Sequence, residues 1–215
     1  MYKLYNVKAW GSISIHCLLE EMEVPYTNIW MTAEQVKAPE FRELNPLGMV
    51  PALGLDDGRT LYESAAIVTF LIAAHADKGM SPPLGSDDYG EFMSLLHMMS
   101  TELYPINSLA FGGTPFAQTA AHDAFIADTA RDRADFYWAL LEKRLEANGP
   151  WLMGDAFSAI DIYAFMLTIW GRPTEQALHD RFPALAKLAG AVRARPRLKA
   201  VLESHGVLEI GGYPN

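Results

Sequence analysis

Glu63 and Ser64 set an acid beside a hydroxyl at the predicted start of a helix, ten residues after Leu53 of a short apolar run, Val50-Pro51-Ala52-Leu53. Pro51 has no N–H to give, so it suits the start or edge of a strand. Val50-Pro51 is also a candidate cis peptide, with the Val50 N–H and C=O turned outward. Free backbone groups of that kind can take an extended peptide as an added strand. A helix N-terminus carries unpaired N–H groups and partial positive charge, so Glu63 and Ser64 suit the charged end of such a peptide.

The elements that must carry these groups follow from periodicity. Leu4 to Val7 and Tyr26 to Met31 are predicted strands. Between them Ile15, Leu18, Leu19 and Met22 recur at helical spacing. A helix is predicted from about Ala33 to Leu44, ending at Asn45-Pro46. Val50 to Leu55 and Arg59 to Tyr62 form a hairpin through Asp56-Asp57-Gly58, and Ser64 to Ala76 is the next helix. The order βαβαββα implies a mixed sheet covered by helices, spanning residues 1–78. Glycine and proline cluster in a linker at 79–88.

Residues 89–215 are predicted to be all-helical. One helix runs from about Tyr89 to Leu109 with a bend at Pro105, and a long one from Ala120 to Asn148. Ser158-Ala159-Ile160-Asp161 has the form of a capping box and starts a helix to about Trp170. Pro183 and Pro196 sit early in two short final helices, and the tail from Gly206 to Asn215 is irregular.

Composition narrows the partners. The chain has 215 residues and a net charge of −9, which disfavours nucleic acid and anionic membrane surfaces. Its single cysteine, Cys17, excludes an internal disulfide and suits a reducing, cytoplasmic compartment. We expect no signal peptide and no membrane span. Scattered histidines and a lone cysteine suggest no metal site.

The βαβαββα half, Asn45-Pro46-x-Gly48-x-Val50-Pro51-Ala52-Leu53, Glu63-Ser64-x-Ala66-Ile67 and Ser158-x-x-Asp161-Ile162 together resemble the cytosolic glutathione transferases over essentially the whole chain. The resemblance implies a thioredoxin-like N-terminal domain, a C-terminal helical bundle for substrate binding and dimerisation, a homodimer, and glutathione as co-substrate. Val50, beside Pro51, would bind the cysteinyl backbone, and Glu63 and Ser64 the γ-glutamyl carboxylate and amine. The glycyl end would lie near Gln35, Lys37 and Met49, of which Lys37 suits a carboxylate best. The Lys or Gln usual at position 49 in the family is absent.

Glutathione's thiol reacts as the thiolate, so the site needs a donor aimed at sulfur. The family places it in the loop Lys8 to Ser14. Here the usual Ser or Cys position falls on Ala9, and the cysteine of beta-type enzymes on Gly11. Ser12 is the first candidate, either as sulfur donor or as a helix N-cap; Ser14 is second and Tyr5 third. Thr101-Glu102-Leu103-Tyr104 is similar to a Thr-Glu-Leu-His run in beta-type relatives, which makes Tyr104 a further donor. Trp10, Gly11 and Phe111, with Met98 and Met99, are candidates for the acceptor pocket. His16 is expected on the exposed side of its helix and Cys17 to be buried and inert. Asp161 is read as a cap.

These residues suit a transferase acting on an electrophilic, mostly apolar small molecule. A glutathione-dependent disulfide reductase, an aryl-ether-cleaving enzyme and a non-catalytic glutathione-binding scaffold are the alternatives.

Overall fold

The computed structural model describes residues 1–213; the last two residues of the expected tail lie outside it. The first half carries a four-stranded mixed sheet in the order β2-β1-β3-β4. β1 (Tyr2–Asn6) pairs parallel with β2 (Tyr26–Trp30) through α1 (Ser12–Glu21). β3 (Ala52–Gly54) pairs antiparallel with β1, placing Leu53 opposite Leu4, and with β4 (Thr60–Tyr62). Gly58 closes the β3–β4 turn at φ +87°, where only glycine is free of strain.

The alternation of strand side chains divides the core in two. Leu4 and Leu53 face α1, α4 (Ser64–Ala74) and the helical half in one continuous core. Tyr5 and Ala52 face the other side, among Val7, Val36, Phe41 and Val50. The helix expected from Ala33 to Leu44 is two, α2 (Ala33–Lys37) and α3 (Pro39–Leu44). Pro39 pushes Ala38 into extended backbone, φ −65° and ψ 148°.

The rest is helical. α5 (Asp87–His97) widens into a π-helical stretch at Met98–Leu103 and continues as α6 (Tyr104–Leu109). The bend expected at Pro105 therefore lies just before it. Pro105 leaves the Thr101 carbonyl without its helical donor, and the widened turn absorbs the mismatch. α7 (Ala120–Asn148) follows, then α8 (Ala159–Ile169), in which every residue is buried. α8 starts on a true capping box. The buried Asp161 carboxylate accepts the Ser158 N–H and hydroxyl at 2.8 and 3.0 Å and the Leu152 N–H at 2.8 Å.

α9 (Glu175–Arg181), missed in the sequence, precedes α10 (Pro183–Arg193), a short 3-10 turn at Pro196 and α11 (Lys199–His205). α8 is the helix around which the halves meet, touching α1, α5, α9 and α10. No helix among the described residues is long and apolar enough to cross a membrane.

Candidate active site

Two adjoining cavities open between the sheet half and the helical half, sharing Met49, Val50, Tyr104 and Ser108. The first, about 410 Å³, adds Asn45, Leu47, Pro51, Glu63, Ser64, Ser100 and Pro105. The second, about 420 Å³, adds Trp10, Gly11, Lys37, Gly48, Phe111, Trp170 and Tyr213. A larger cavity of about 640 Å³ lies away at the linker. Its cation, Arg144, is already bonded to Glu91 and the Leu152 carbonyl, and none of the candidate residues lines it.

The first cavity has the chemistry of a site for an extended, charged peptide. Val50 precedes the ladder, which begins at Ala52, and its N–H and C=O have no protein hydrogen-bond partner among the described residues. The Val50-Pro51 bond is cis. Asn45, buried, holds this segment in place: its amide donates to the Met49 carbonyl at 2.7 Å and its side-chain oxygen accepts the Leu47 N–H.

Glu63 stands at φ +67° immediately before α4. For a non-glycine residue such strain, of order 1–3 kcal/mol, concentrates at functional sites. The N-terminus of α4 has no side-chain cap, so its first amides and dipole remain available to an anion. Glu63 is exposed. The Ser64 hydroxyl lies 2.8 Å from that of Tyr163, a fully buried residue of α8.

Where the second cavity meets the first, the loop from β1 to α1 passes under Tyr104. A Cβ at Gly11 would collide with the Tyr104 hydroxyl oxygen. The Gly11 and Ser12 amides have no hydrogen-bond partner among the described residues. Together with the Tyr104 phenol they form a cluster of donors at the start of α1. Burial, foremost, pushes the Tyr104 phenol upward, so at neutral pH it is a proton-bearing donor. Aromatic rings dominate the walls: Trp170 lies 5.0 Å from Tyr104, and Tyr213 packs edge-on against Phe111 and Trp170. The Arg172 guanidinium covers Phe111 at 3.3 Å.

Several expected residues are placed elsewhere. Ser12 is not the N-cap of α1; Gly11 is. The Ser12 hydroxyl is fully buried and engages the Val7 N–H and C=O at 3.2 and 3.3 Å, closing the loop onto β1. The Ser14 hydroxyl, also buried, donates to the Gly11 carbonyl at 2.9 Å. Tyr5 points to the opposite side of the sheet, against Phe41. Gln35 serves Thr32 in a capping box and lines a separate hollow with Tyr5. Met99 is in the core and Met98 packs against it.

His16 is buried rather than exposed, because the whole stretch Ser12 to Leu19 is covered. Cys17 is buried and desolvation pushes its thiol up, so it stays protonated and inert. The residues missed in the sequence are Tyr163, Trp170 and Tyr213, which act through contacts between distant segments; Asn45, read only as part of its motif, acts locally on Leu47 and Met49. Among the described residues no group of three or more His, Cys, Asp or Glu could hold a metal ion.

The family models for the glutathione S-transferase N-terminal and C-terminal domains match residues 12–74 and 111–205. This chain belongs to the cytosolic glutathione transferase superfamily. It is similar to glutathione S-transferase GstA of Escherichia coli O157:H7, with 26% identity over 95% of this chain and 99% of the relative. An uncharacterised GST-like protein of Escherichia coli K12, YncG, is also 26% identical over 97% of this chain and 100% of its own. Among solved structures, a ternary complex of the bacterial GST BphK superposes with a TM-score of 0.82 at 28% identity, covering 95% of this chain and 99% of that one. A sphingomonad glutathione S-transferase complexed with glutathione gives 0.80 at 28% identity, with the same coverage.

Proposed function

We propose that the chain is a glutathione transferase in which Tyr104, from the helical half, donates to the glutathione sulfur. The observation that carries this is the position of Tyr104, which lines both cavities. Glutathione would occupy the first cavity. Val50 would pair with its cysteinyl backbone, the α4 N-terminus with Ser64 would take the γ-glutamyl carboxylate, and Glu63 would take the ammonium. Lys37 and Met49 border the remaining end, and Lys37 supplies the cation for the glycyl carboxylate.

The sulfur would then lie by Gly11, below the Tyr104 hydroxyl and the amides of Gly11 and Ser12. Each unit by which the thiol pKa falls corresponds to about 1.4 kcal/mol of preferential thiolate stabilisation. The thiol proton leaves to solvent. The thiolate attacks an electrophilic carbon in the second cavity, a C–S bond forms, and the displaced group departs with its electron pair. Walls of Trp10, Phe111, Trp170 and Tyr213 suit a planar, mostly apolar acceptor.

A reductase that relays electrons through a protein thiol finds no support, since the single cysteine is buried. Exposed Phe125, Phe136 and Leu140 on α7 support a homodimer, and the single, unpaired thiol suits a reducing compartment such as the cytoplasm. The test is conjugation of a chlorodinitrobenzene-type arene together with calorimetry of glutathione binding. Turnover with micromolar-to-millimolar binding is expected. Absence of both sinks the proposal, while binding with turnover only of hydroxyethyl disulfide would transfer it to the reductase reading.

A further inference from the structure

A buried histidine pair lies behind the loop. His205, on α11, and His16, on α1, approach to 2.9 Å between His205 Nε2 and His16 Nδ1. His205 Nδ1 accepts the Ala9 amide N–H at 2.9 Å. The carbonyl of Ala9 accepts the indole N–H of Trp170, also at 2.9 Å. Ala9 has φ +56°, a conformation that disfavours any residue but glycine. Two side chains of the helical half therefore hold both peptide groups of one strained residue in the loop.

The donors and acceptors fix the protons. The Ala9 amide only donates, so His205 Nδ1 is bare and the ring hydrogen sits on Nε2. That hydrogen points to His16 Nδ1, which also lies 3.1 Å from the Asn6 amide nitrogen. Asn6 ends β1, so the relay ties down the entry of the loop as well as Ala9. Both rings are neutral: burial pushes His16 down to about 4, and burial with the neighbouring His16 and Lys8 pushes His205 down to about 3.

The loop makes few bonds of its own that set this shape. Trp10 N–H reaches the Val7 carbonyl at 3.3 Å and Ser12 closes on Val7, while Ile13 N–H and the Ser14 hydroxyl hold the Trp10 and Gly11 carbonyls at 3.0 and 2.9 Å; none of these engages the Ala9 N–H or C=O. Two residues past Ala9 stands Gly11, beneath the Tyr104 hydroxyl, and Trp170 also packs against the Tyr104 ring. A shift at Ala9 moves the Gly11 and Ser12 amides relative to that phenol.

We propose that His205 is a positioning residue for thiol activation: through the Ala9 amide it fixes the loop amides against the Tyr104 hydroxyl, touching neither glutathione nor acceptor. This rests on the glutathione-transferase reading above. The geometry separates two ends of the site. The latch serves the sulfur, whereas Val50, Glu63 and Ser64 anchor the peptide.

The experiment measures the pKa of bound glutathione by ultraviolet thiolate absorbance, with calorimetric affinity, in wild type, His205→Leu, His205→Asn and Trp170→Phe. His205→Leu is expected to raise the bound-thiol pKa by about one unit, a tenfold loss of thiolate, and to lower turnover near neutral pH accordingly. Glutathione affinity stays within about twofold. His205→Asn, whose side-chain oxygen can accept the Ala9 N–H, recovers most of the loss. Trp170→Phe removes the opposite hydrogen bond while keeping a ring, and moves the pKa in the same direction even where His205→Leu does not fold. An unchanged bound-thiol pKa in the folded variants, or a change confined to affinity, overturns the proposal. Failure of wild type to bind glutathione overturns the functional reading itself, and the latch's role with it.

Discussion

The Tyr104 hydroxyl fills the space that a side chain at Gly11 would need. A phenol from the helical half thus occupies the space above the loop from β1 to α1. The pair makes one device of two residues 93 positions apart, by the difference of their numbers.

Tyr104→Phe keeps the ring and removes the donor. The bound-thiol pKa should rise by about one to two units and kcat/KM fall about 10- to 100-fold, with glutathione affinity nearly unchanged. Ser12→Ala removes a bond to Val7 rather than a donor to sulfur, so it should lower thermal stability and raise the thiol pKa by less than Tyr104→Phe does. Stopped-flow turnover against pH, beside thermal melts, separates the two.

Gly11→Ala should reproduce much of the Tyr104→Phe loss, since the new methyl displaces the hydroxyl. The double variant should be little worse than the worse single one, because both act on one contact. Full additivity in kcat/KM would show that the phenol and the loop work independently.

Glu63→Gln and Ser64→Ala should weaken glutathione binding about tenfold each, as expected for loss of one charge-assisted bond, about 1.4 kcal/mol or more. Turnover at saturating glutathione should change little. Titration calorimetry with glutathione reads this directly, and a drop in saturated turnover at unchanged affinity would remove both residues from the anchor role.

Asp161→Asn should destabilise the fold by roughly 2–3 kcal/mol and lower Tm by roughly 5–10 °C. An amide cannot accept from Leu152 and Ser158 together without turning its own N–H₂ on a donor. Retained Tm would mean that the cap is dispensable.

Acid should destabilise the protein through His16 and His205. Their folded values, about 4 and about 3, lie below the ordinary 6.5. The unfolded chain therefore binds more protons between those limits, and stability rises with pH through that window and levels off above it. The groups facing the pair are Asn6, Lys8, Tyr26 with its partner Glu20, and Trp30. Asp161, pushed by burial up to about 6, works in the opposite sense, so wild type is compared with His205→Asn, in which Asp161 is common to both. Melts from pH 7 to pH 5 should show a shallower decline in the variant.

The parts of the fold set by local rules were legible in the sequence. Asp56-Asp57-Gly58 marks its hairpin, Ala120 to Asn148 its helix, and Ser158 with Asp161 its cap, since each depends on neighbours within a few residues. The cis junction at Val50-Pro51 and the start of α4 after Glu63 were legible for the same reason. Which of Ser12, Ser14, Tyr5 and Tyr104 faces the cavity was open because hydroxyl direction is a tertiary property: Ser12 turns to Val7, Ser14 to Gly11, Tyr5 to Phe41, and Tyr104 lines the cavity. His16 looked exposed because Ser12 and Glu20 lie four residues to either side of it, but the ring that covers it, His205, lies 189 residues away. Tyr213 sits in a tail without periodicity, so no local signal marked it.

The hydrogen bond from Ala9 to His205 spans 196 residues, which imposes an order on synthesis. The residues of the sheet, of its hairpin and of the proposed peptide anchors all lie in the first third of the chain. The Ala9 loop, which we propose addresses the sulfur, gains this bond only once α11, near the end of the chain, is made. On the glutathione-transferase reading proposed above, thiol activation therefore depends on a helix that is translated almost last.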